Sequence, residues 1–359
     1  MPRDPQVDLI FSHFTPRYIA TGVDPNDLER LKATIERWDD WCRIWCGEAA
    51  KHAQFGEEAL QFGRRVTASE SFLRAAIYYH YAKHLFADRP DQYRAAHDAM
   101  LRCYKAAAPD MHPPAEHLTF PFDGAQLHGW LRCPKPSAKS PSPLPVAVIL
   151  PGLDACKEEL HAWSEAFLAR GLATLTLDGP GQGESALALP IRTDWGQVIG
   201  AVIDGLHGRK DVDADAVGVV GQSLGAFYAP LAASQEPRIK ACIANCGPYD
   251  WGRVLPQMPK VSQEVFRVRS GAATIEAGHE IAKGMTLEGA AARIRCPLLV
   301  VFGGGDRLIP PAEGERLARE ASGPAKFVLL PEGNHVCFNV SYKFRPLTAD
   351  WMAETLFER

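Results

Sequence analysis

From Pro145 onward the chain alternates between short, unbroken apolar runs and stretches of helical period, and this rhythm restricts the fold more than any other feature. The runs lie at 145–150, 173–178, 216–221, 240–245, 297–303 and 326–330 and are rich in Val, Leu, Ile and Ala. A strand with one wet face would alternate apolar and polar residues. A run without alternation suits a parallel strand covered on both faces. Helical patterns fill the intervals at about 156–170, 195–209, 224–235, 311–321 and 347–357. This order predicts an α/β fold with a mostly parallel, doubly wound sheet, its working groups at the carboxyl ends of the strands. Some fifty residues separate the runs at 240–245 and 297–303. That is too long for one crossover, so an extra helical piece at about 247–296 is expected there as part of a lid.

Before residue 115 the pattern is helical almost throughout, which predicts a helical domain over 1–115 and a catalytic domain over 116–359. Asp24-Pro25-Asn26-Asp27 reads as an N-cap and first turn of a helix that runs on through Leu31, Ile35, Trp38 and Trp41. Trp38, Trp41 and Trp45 then share one face of one helix, a spacing that suits a helix–helix core. Further helices are expected over Ser69–Phe86 and Gln92–Ala107, with Pro113-Pro114 closing the region. Alternating stretches at His117–Phe122 and Gln126–Arg132 flank Asp123-Gly124, a strong hairpin signal. Residues 134–145, dense in proline and serine, read as a surface loop.

The motif that carries chemistry is Gly221-Gln222-Ser223-Leu224-Gly225, placed where a strand ends and a helix begins. A serine on so sharp a turn is pushed out of the sheet, and glycines two residues either side let the turn close against neighbouring backbone. Taken alone, G-x-S-x-G would arise by chance in about one chain in ten of this length. Its strand–turn–helix setting is what chance does not supply. A serine hydroxyl attacks only when a base takes its proton and a carboxylate orients that base. Asp306, after the run at 297–303, and His335, after the run at 326–330, follow in the order Ser, Asp, His, each just past a strand's carboxyl end. Glu332 lies too close to His335 in the chain to orient it well. The oxyanion of acyl transfer needs two backbone donors. The Leu224 N–H is one candidate and the Leu153 N–H, in Pro151-Gly152-Leu153-Asp154, is the other, although a plain strand-to-helix turn fits that glycine equally well.

Other chemistries find little footing. A net charge of −4 with no clustered Lys/Arg stripe argues against nucleic acid. The apolar run Val146–Leu150 is too short to span a bilayer, and no apolar stretch follows the first residues as in a secretory signal, so a cytoplasmic protein is expected. Of nine cysteines without paired C-x-x-C spacing, most read as reduced, buried thiols, and Cys42 and Cys46, one helical turn apart with no second pair, read as packing residues. Asp178-Gly179-Pro180-Gly181-Gln182-Gly183-Glu184-Ser185 follows a strand, but its glycine spacing matches neither dinucleotide nor P-loop patterns. His80 and His84 stand one helical turn apart without a third ligand or the glutamate of a zinc-protease helix. No metal and no cofactor are therefore expected, and the partner is a small-molecule substrate.

Three blocks of this sequence resemble a known family: Leu153-Asp154-Ala155-Cys156-Lys157-Glu158-Glu159, Leu177 to Glu184, and Gly221 to Gly225. They are similar to the α/β-hydrolases grouped around 2,6-dihydroxypseudooxynicotine hydrolase, with the FrsA-like esterases and the fungal chain-shortening polyketide hydrolases. Trp38-Asp39-Asp40-Trp41-Cys42 and Ala75-Ala76-Ile77-Tyr78-Tyr79-His80 resemble that family's helical N-terminal domain, so the likeness covers nearly the whole chain. It implies an α/β-hydrolase fold, a cofactor-free enzyme, commonly a homodimer, and a site capped by the N-terminal helices and the insertion. It also implies cleavage of an ester or of a carbon–carbon bond beside a ketone, with the triad on Ser223, Asp306 and His335. The pseudooxynicotine enzyme carries one more glutamate shortly after the strand at 240–245. Here that stretch reads Tyr249-Asp250-Trp251-Gly252-Arg253-Val254, where Asp250 is either a substitute acid or a helix cap.

These readings converge on a serine hydrolase acting through an acyl-enzyme on a medium-sized aromatic or polyketide-like molecule. Transfer to an alcohol or amine by the same triad, and a non-catalytic binding protein on this scaffold, are the alternatives.

Overall fold

Eight strands form one sheet in the order β1-β2-β4-β3-β5-β6-β7-β8. The computed structural model describes residues 3–137 and 142–358. By contacts the chain divides into two compact units, Met1–Glu116 and His117–Arg359.

The first unit is helical: α1 (Pro5–Ala20), α2 (Pro25–Thr34), α3 (Trp41–Gln61), α4 (Arg65–Lys83) and α5 (Pro90–Ala107). The helix expected to run from Asp24 through Trp41 is instead two helices. Ile35 turns extended (φ −82°, ψ 106°) and is fully buried. The backbone freed by the break is captured by the start of the chain: Arg3 Nε donates to the Ile35 carbonyl, Asp4 N–H to that of Glu36, and Trp38 N–H to the Asp4 carboxylate. Trp38 therefore sits on a short one-turn segment before α3, yet the three tryptophan rings still adjoin, at 5.3 and 5.9 Å. α1 opens on Asp4-Pro5, the same cap-and-first-turn signal as Asp24-Pro25, with the Asp4 side chain accepting Gln6 N–H.

The second unit holds the sheet. β1 (Ala115–Phe122) and β2 (Ala125–Arg132) are joined by Asp123-Gly124, both at positive φ as a two-residue hairpin turn requires. There follow β3 (Leu144–Leu150), α6 (His161–Leu168), β4 (Ala173–Asp178), α7 (Trp195–Leu206), β5 (Val212–Gln222), α8 (Gly225–Gln235) and β6 (Ile239–Asn245). The insertion is helical, with α9 (Trp251–Val254), α10 (Lys260–Ser270) and α11 (Ile275–Lys283), before β7 (Leu298–Gly303), α12 (Pro311–Glu320), β8 (Ala325–Leu330) and α13 (Ser341–Phe357). β2 meets β4 antiparallel, and every pairing from β4 through β8 is parallel. Within the expected loop at 134–145, residues 138–141 lie outside the described residues, and Leu144 already belongs to β3.

β3, β4 and β7 are buried along their whole length, as unbroken apolar runs require. β8 differs: it is the edge strand and is half exposed, because only one neighbour covers it. α6 also starts later than the helical pattern suggested, since residues 156–160 make turns that bring Lys157 and Glu158 inward. The chain passes from β3 to β4 on one side and then returns to place β5 on the other. That reversal leaves a crevice at the carboxyl ends of β3 and β5, where such sheets hold their ligands.

Candidate active site

β5 ends at Gln222 and α8 begins at Gly225, so Ser223 and Leu224 make the whole turn. Ser223 has φ 53°, a left-handed conformation that costs a residue with a β-carbon about 1–3 kcal/mol. The surroundings hold it there: its N–H donates to the Asn245 carbonyl at 2.9 Å, and its carbonyl accepts from Ala226 N–H at 2.8 Å. A Cβ on Gly221 would lie 2.0 Å from the Gly225 carbonyl oxygen, and one on Gly225 would lie 2.4 Å from that of Leu150. Both flanking glycines are thus demanded by backbone contact.

The Ser223 Oγ lies 2.9 Å from His335 Nε2, and His335 Nδ1 lies 2.7 Å from Asp306 Oδ2. The Asp306 side chain is fully buried and its second oxygen accepts the N–H groups of Leu308 and Ile309 at 2.9 and 3.0 Å. Burial by itself would raise this carboxyl's pKa. The adjoining His335 and the two amides outweigh it and hold Asp306 below the usual carboxylate range. The group can therefore serve as a fixed anion that selects one imidazole tautomer.

The loop after β3 reaches the same point. Gly152 packs on Ser223, with the position of a Cβ on it only 3.0 Å from the serine Cβ. Among the described residues the amides of Leu153 and Leu224 donate to no protein acceptor. Two open N–H groups beside a serine hydroxyl, one at the start of α8, suit a developing oxyanion.

Asn245, which no motif singled out, ties the parts together. Its carbonyl holds the Ser223 amide, while its side-chain Nδ2 donates to the Val336 carbonyl at 3.2 Å. Val336 and Cys337 are both left-handed, at φ 61° and 59°, immediately after His335. A β-branched residue in that region is strained, so the Asn245 contact helps fix a loop that would otherwise relax. The only sequence hint of this is its place at the end of a strand beside the elbow's strand.

A second buried assembly sits behind the β3 loop. Lys157 Nζ contacts Glu158 at 2.8 Å, Asp178 at 3.1 Å and Glu184 at 2.9 Å, with Lys157, Glu158 and Asp178 fully buried. Burial opposes the charge on Glu158, but Lys157 and the Trp130 indole N–H hold its carboxyl well below the usual carboxylate range. Asp178 accepts Lys157 N–H on one oxygen and Glu184 N–H on the other. The glycine-rich turn after β4 is therefore a carboxylate cage: a Cβ on Gly183 would fall 1.9 Å from Asp178 Oδ2. From that turn Gln182 donates to the Pro151 carbonyl, anchoring the loop that bears Leu153.

The remaining sequence candidates lie elsewhere. Asp250 caps α9 by accepting Arg253 N–H at 3.1 Å and pairs with the Arg253 side chain at 3.2 Å. Glu332 is partly exposed and paired with Lys343. His80 and His84 are buried in the helical unit, where the His84 ring meets Phe14, Tyr18 and Tyr81. The nine cysteines are thiols; the sulfurs of Cys42 and Cys46 stand 4.0 Å apart. A groove of about 890 Å³ beside Asp123, Arg192, Asp194, Asp204 and Arg238 has none of the Ser223–His335–Asp306 residues in its lining, and its charges pair with one another. Among the described residues no helix is long and apolar enough to cross a membrane.

The family model described as "Esterase FrsA-like" matches residues 18–356. The chain belongs to this FrsA-like esterase family. The 2,6-dihydropseudooxynicotine hydrolase of Paenarthrobacter nicotinovorans is 31% identical over 344 residues, covering 95% of this chain and 91% of that one. The crystal structure of the 2,6-dihydroxy-pseudo-oxynicotine hydrolase superposes with a TM-score of 0.86 at 28% identity, over 95% of each chain. The 20-hydroxy-prefusarin hydrolase of Gibberella moniliformis is 34% identical over 222 residues, 59% of this chain and 53% of its own. Family, fold and relatives make the protein an α/β-hydrolase.

Proposed function

We propose that the protein is a serine hydrolase in which Ser223 attacks a substrate carbonyl. His335 takes the hydroxyl proton at Nε2 and returns it to the leaving group, while Asp306 holds the imidazole and steadies its charge. The amides of Leu153 and Leu224 receive the oxyanion, and water, activated by His335, releases the acyl group from Ser223. The observation that carries this reading is the continuous relay of 2.9 and 2.7 Å from Ser223 through His335 to Asp306. The substrate class proposed is a medium-sized aromatic or polyketide-like molecule, in line with what the relatives' names describe. The 247–296 insertion serves as a lid; Arg269 on α10 donates to the Gly181 carbonyl and so pins it to the turn after β4.

Of the two bond types, the ester is favoured. Carbon–carbon cleavage must protonate a leaving carbanion, and Asp250, the acid nearest to the place of the pseudooxynicotine enzyme's extra glutamate, is engaged as a helix cap. The test is a fluorophosphonate probe followed by a panel of aryl esters and aryl β-diketones. Labelling at Ser223 with ester turnover that Ser223→Ala abolishes is the expected result. Folded protein that fails to label sinks the mechanism, and turnover confined to β-diketones reverses the choice of bond.

A further inference from the structure

Glu184, the exposed end of the Lys157 assembly, faces two histidines that the proposed hydrolysis does not use. His128 on β2 places Nδ1 3.5 Å from Glu184 Oε1, and His117 on β1 places Nε2 3.7 Å from Glu184 Oε2. The three ligand atoms lie within 4.8 Å of one another. These separations are too long for good hydrogen bonds. They approach the edges of a metal coordination shell, which metal–ligand bonds of about 2.0–2.2 Å set near 3.3 Å. His128 Nδ1 is itself shielded from solvent and has no hydrogen-bond partner among the described residues. The two imidazoles stack at 5.6 Å, and the His128 backbone N–H donates to Ser185 Oγ, which ties β2 to the segment next to Glu184.

Charge points the same way. One lysine meets three carboxylates, the buried Glu158 and Asp178 and the partly exposed Glu184, so negative charge is in excess around it. Uncompensated buried charge is destabilising, and a divalent cation at the open end would offset it. Lys157 occupies only the inner side of the Glu184 carboxylate; Oε1 faces His128.

We infer that His117, His128 and Glu184 form a binding site for a divalent first-row transition metal ion, zinc in class. Two imidazoles and one carboxylate suit such an ion and disfavour calcium or magnesium, which take oxygen ligands. Water fills the remaining positions, because the His117 side chain is about one-third exposed. The three residues come from β1, β2 and the turn after β4, far apart in sequence, which is why no ligand spacing betrayed them. A metal here clamps that turn to the hairpin. Gln182 of the same turn holds the Pro151 carbonyl, so the clamp stiffens the loop bearing Leu153.

The test uses full-length protein stripped with a chelator and titrated calorimetrically with zinc chloride, with cobalt(II) absorption as a second readout. The expected result is one site per chain and a rise in unfolding temperature on binding. His117→Ala and His128→Ala should each weaken zinc by more than about 100-fold, beyond the roughly 10–100-fold of losing an outer-shell partner. His207→Ala, an exposed histidine elsewhere, should leave it unchanged. His117 is exposed, so its variant is expected to fold, and circular dichroism checks this. Absence of stoichiometric binding, or binding that survives in the His117→Ala/His128→Ala double variant, overturns the site. Neither result bears on Ser223.

Discussion

Two charged assemblies sit at the carboxyl ends of the same sheet and behave as opposites. Around Ser223 the relay ends in a hydroxyl, with two amides nearby that donate to no protein acceptor. Around Lys157 each carboxylate is already engaged by the ammonium, and Asp178 by two backbone amides as well. The first leaves its last donors and acceptors open to a reacting molecule. The second turns its carboxylates toward one buried ammonium and ties the surrounding turns to it, with only the Glu184 edge facing outward. On the proposed reading, a strand end is poised for attack where the backbone is strained and a polar group is left open, and structural where carboxylates gather on one buried cation.

The contrast can be broken by substitution. Ser223→Ala should lower kcat by on the order of a million-fold and leave the unfolding midpoint within about 0.5 kcal/mol of wild type. Asp306→Asn should cost about ten-thousand-fold through the wrong imidazole tautomer. Steady-state kinetics beside urea unfolding separates the two quantities, and a large loss of stability in Ser223→Ala would contradict the division drawn here. Lys157→Met should do the reverse. It leaves two buried carboxylates and the partly exposed Glu184 without their cation and should destabilise by about 3–5 kcal/mol, read from urea midpoints. The fraction that stays folded should still label with a fluorophosphonate; unchanged stability would mean that the cluster is not structural.

Smaller changes sharpen the boundary. Asn245→Leu removes the tether between the serine elbow and the histidine loop, and should lower kcat roughly 10–100-fold with little change in KM. A change confined to KM would place Asn245 in substrate contact instead. His161 supplies a pH test at the edge of the Lys157 side of the sheet. Burial first, and the Arg132 guanidinium second, push its imidazole down to about 3. Between about 3 and the ordinary 6.5 the unfolded chain binds a proton that the fold refuses, so this group's contribution is full above pH 6.5 and is lost on acidification. Going from pH 7 to pH 5.5, wild type should lose about 1.2 kcal/mol more stability than His161→Gln. Equal losses in urea titrations at the two pH values would remove His161 from the account.

Much of this was legible in the residues themselves. The buried runs at 145–150, 173–178, 216–221 and 297–303 announced a parallel sheet because continuous apolarity leaves no wet face. The spacing Gly221–Ser223–Gly225, with Asp306 and His335 past later strands, picked out three residues that meet in space within hydrogen-bond distance. What failed did so for tertiary reasons. The helix through Ile35 was broken by the chain's own start, and helix 156–170 was shortened by turns that bury Lys157 and Glu158.

By itself the sequence determined the sheet, the elbow and the order of its polar partners, because local period and strand-end position are properties of neighbouring residues. Tertiary structure alone decided that Asn245 binds both the serine and the histidine loops, and that His117 and His128 face Glu184. Those outcomes depend on contacts between residues tens of positions apart, and no periodicity along the chain encodes them.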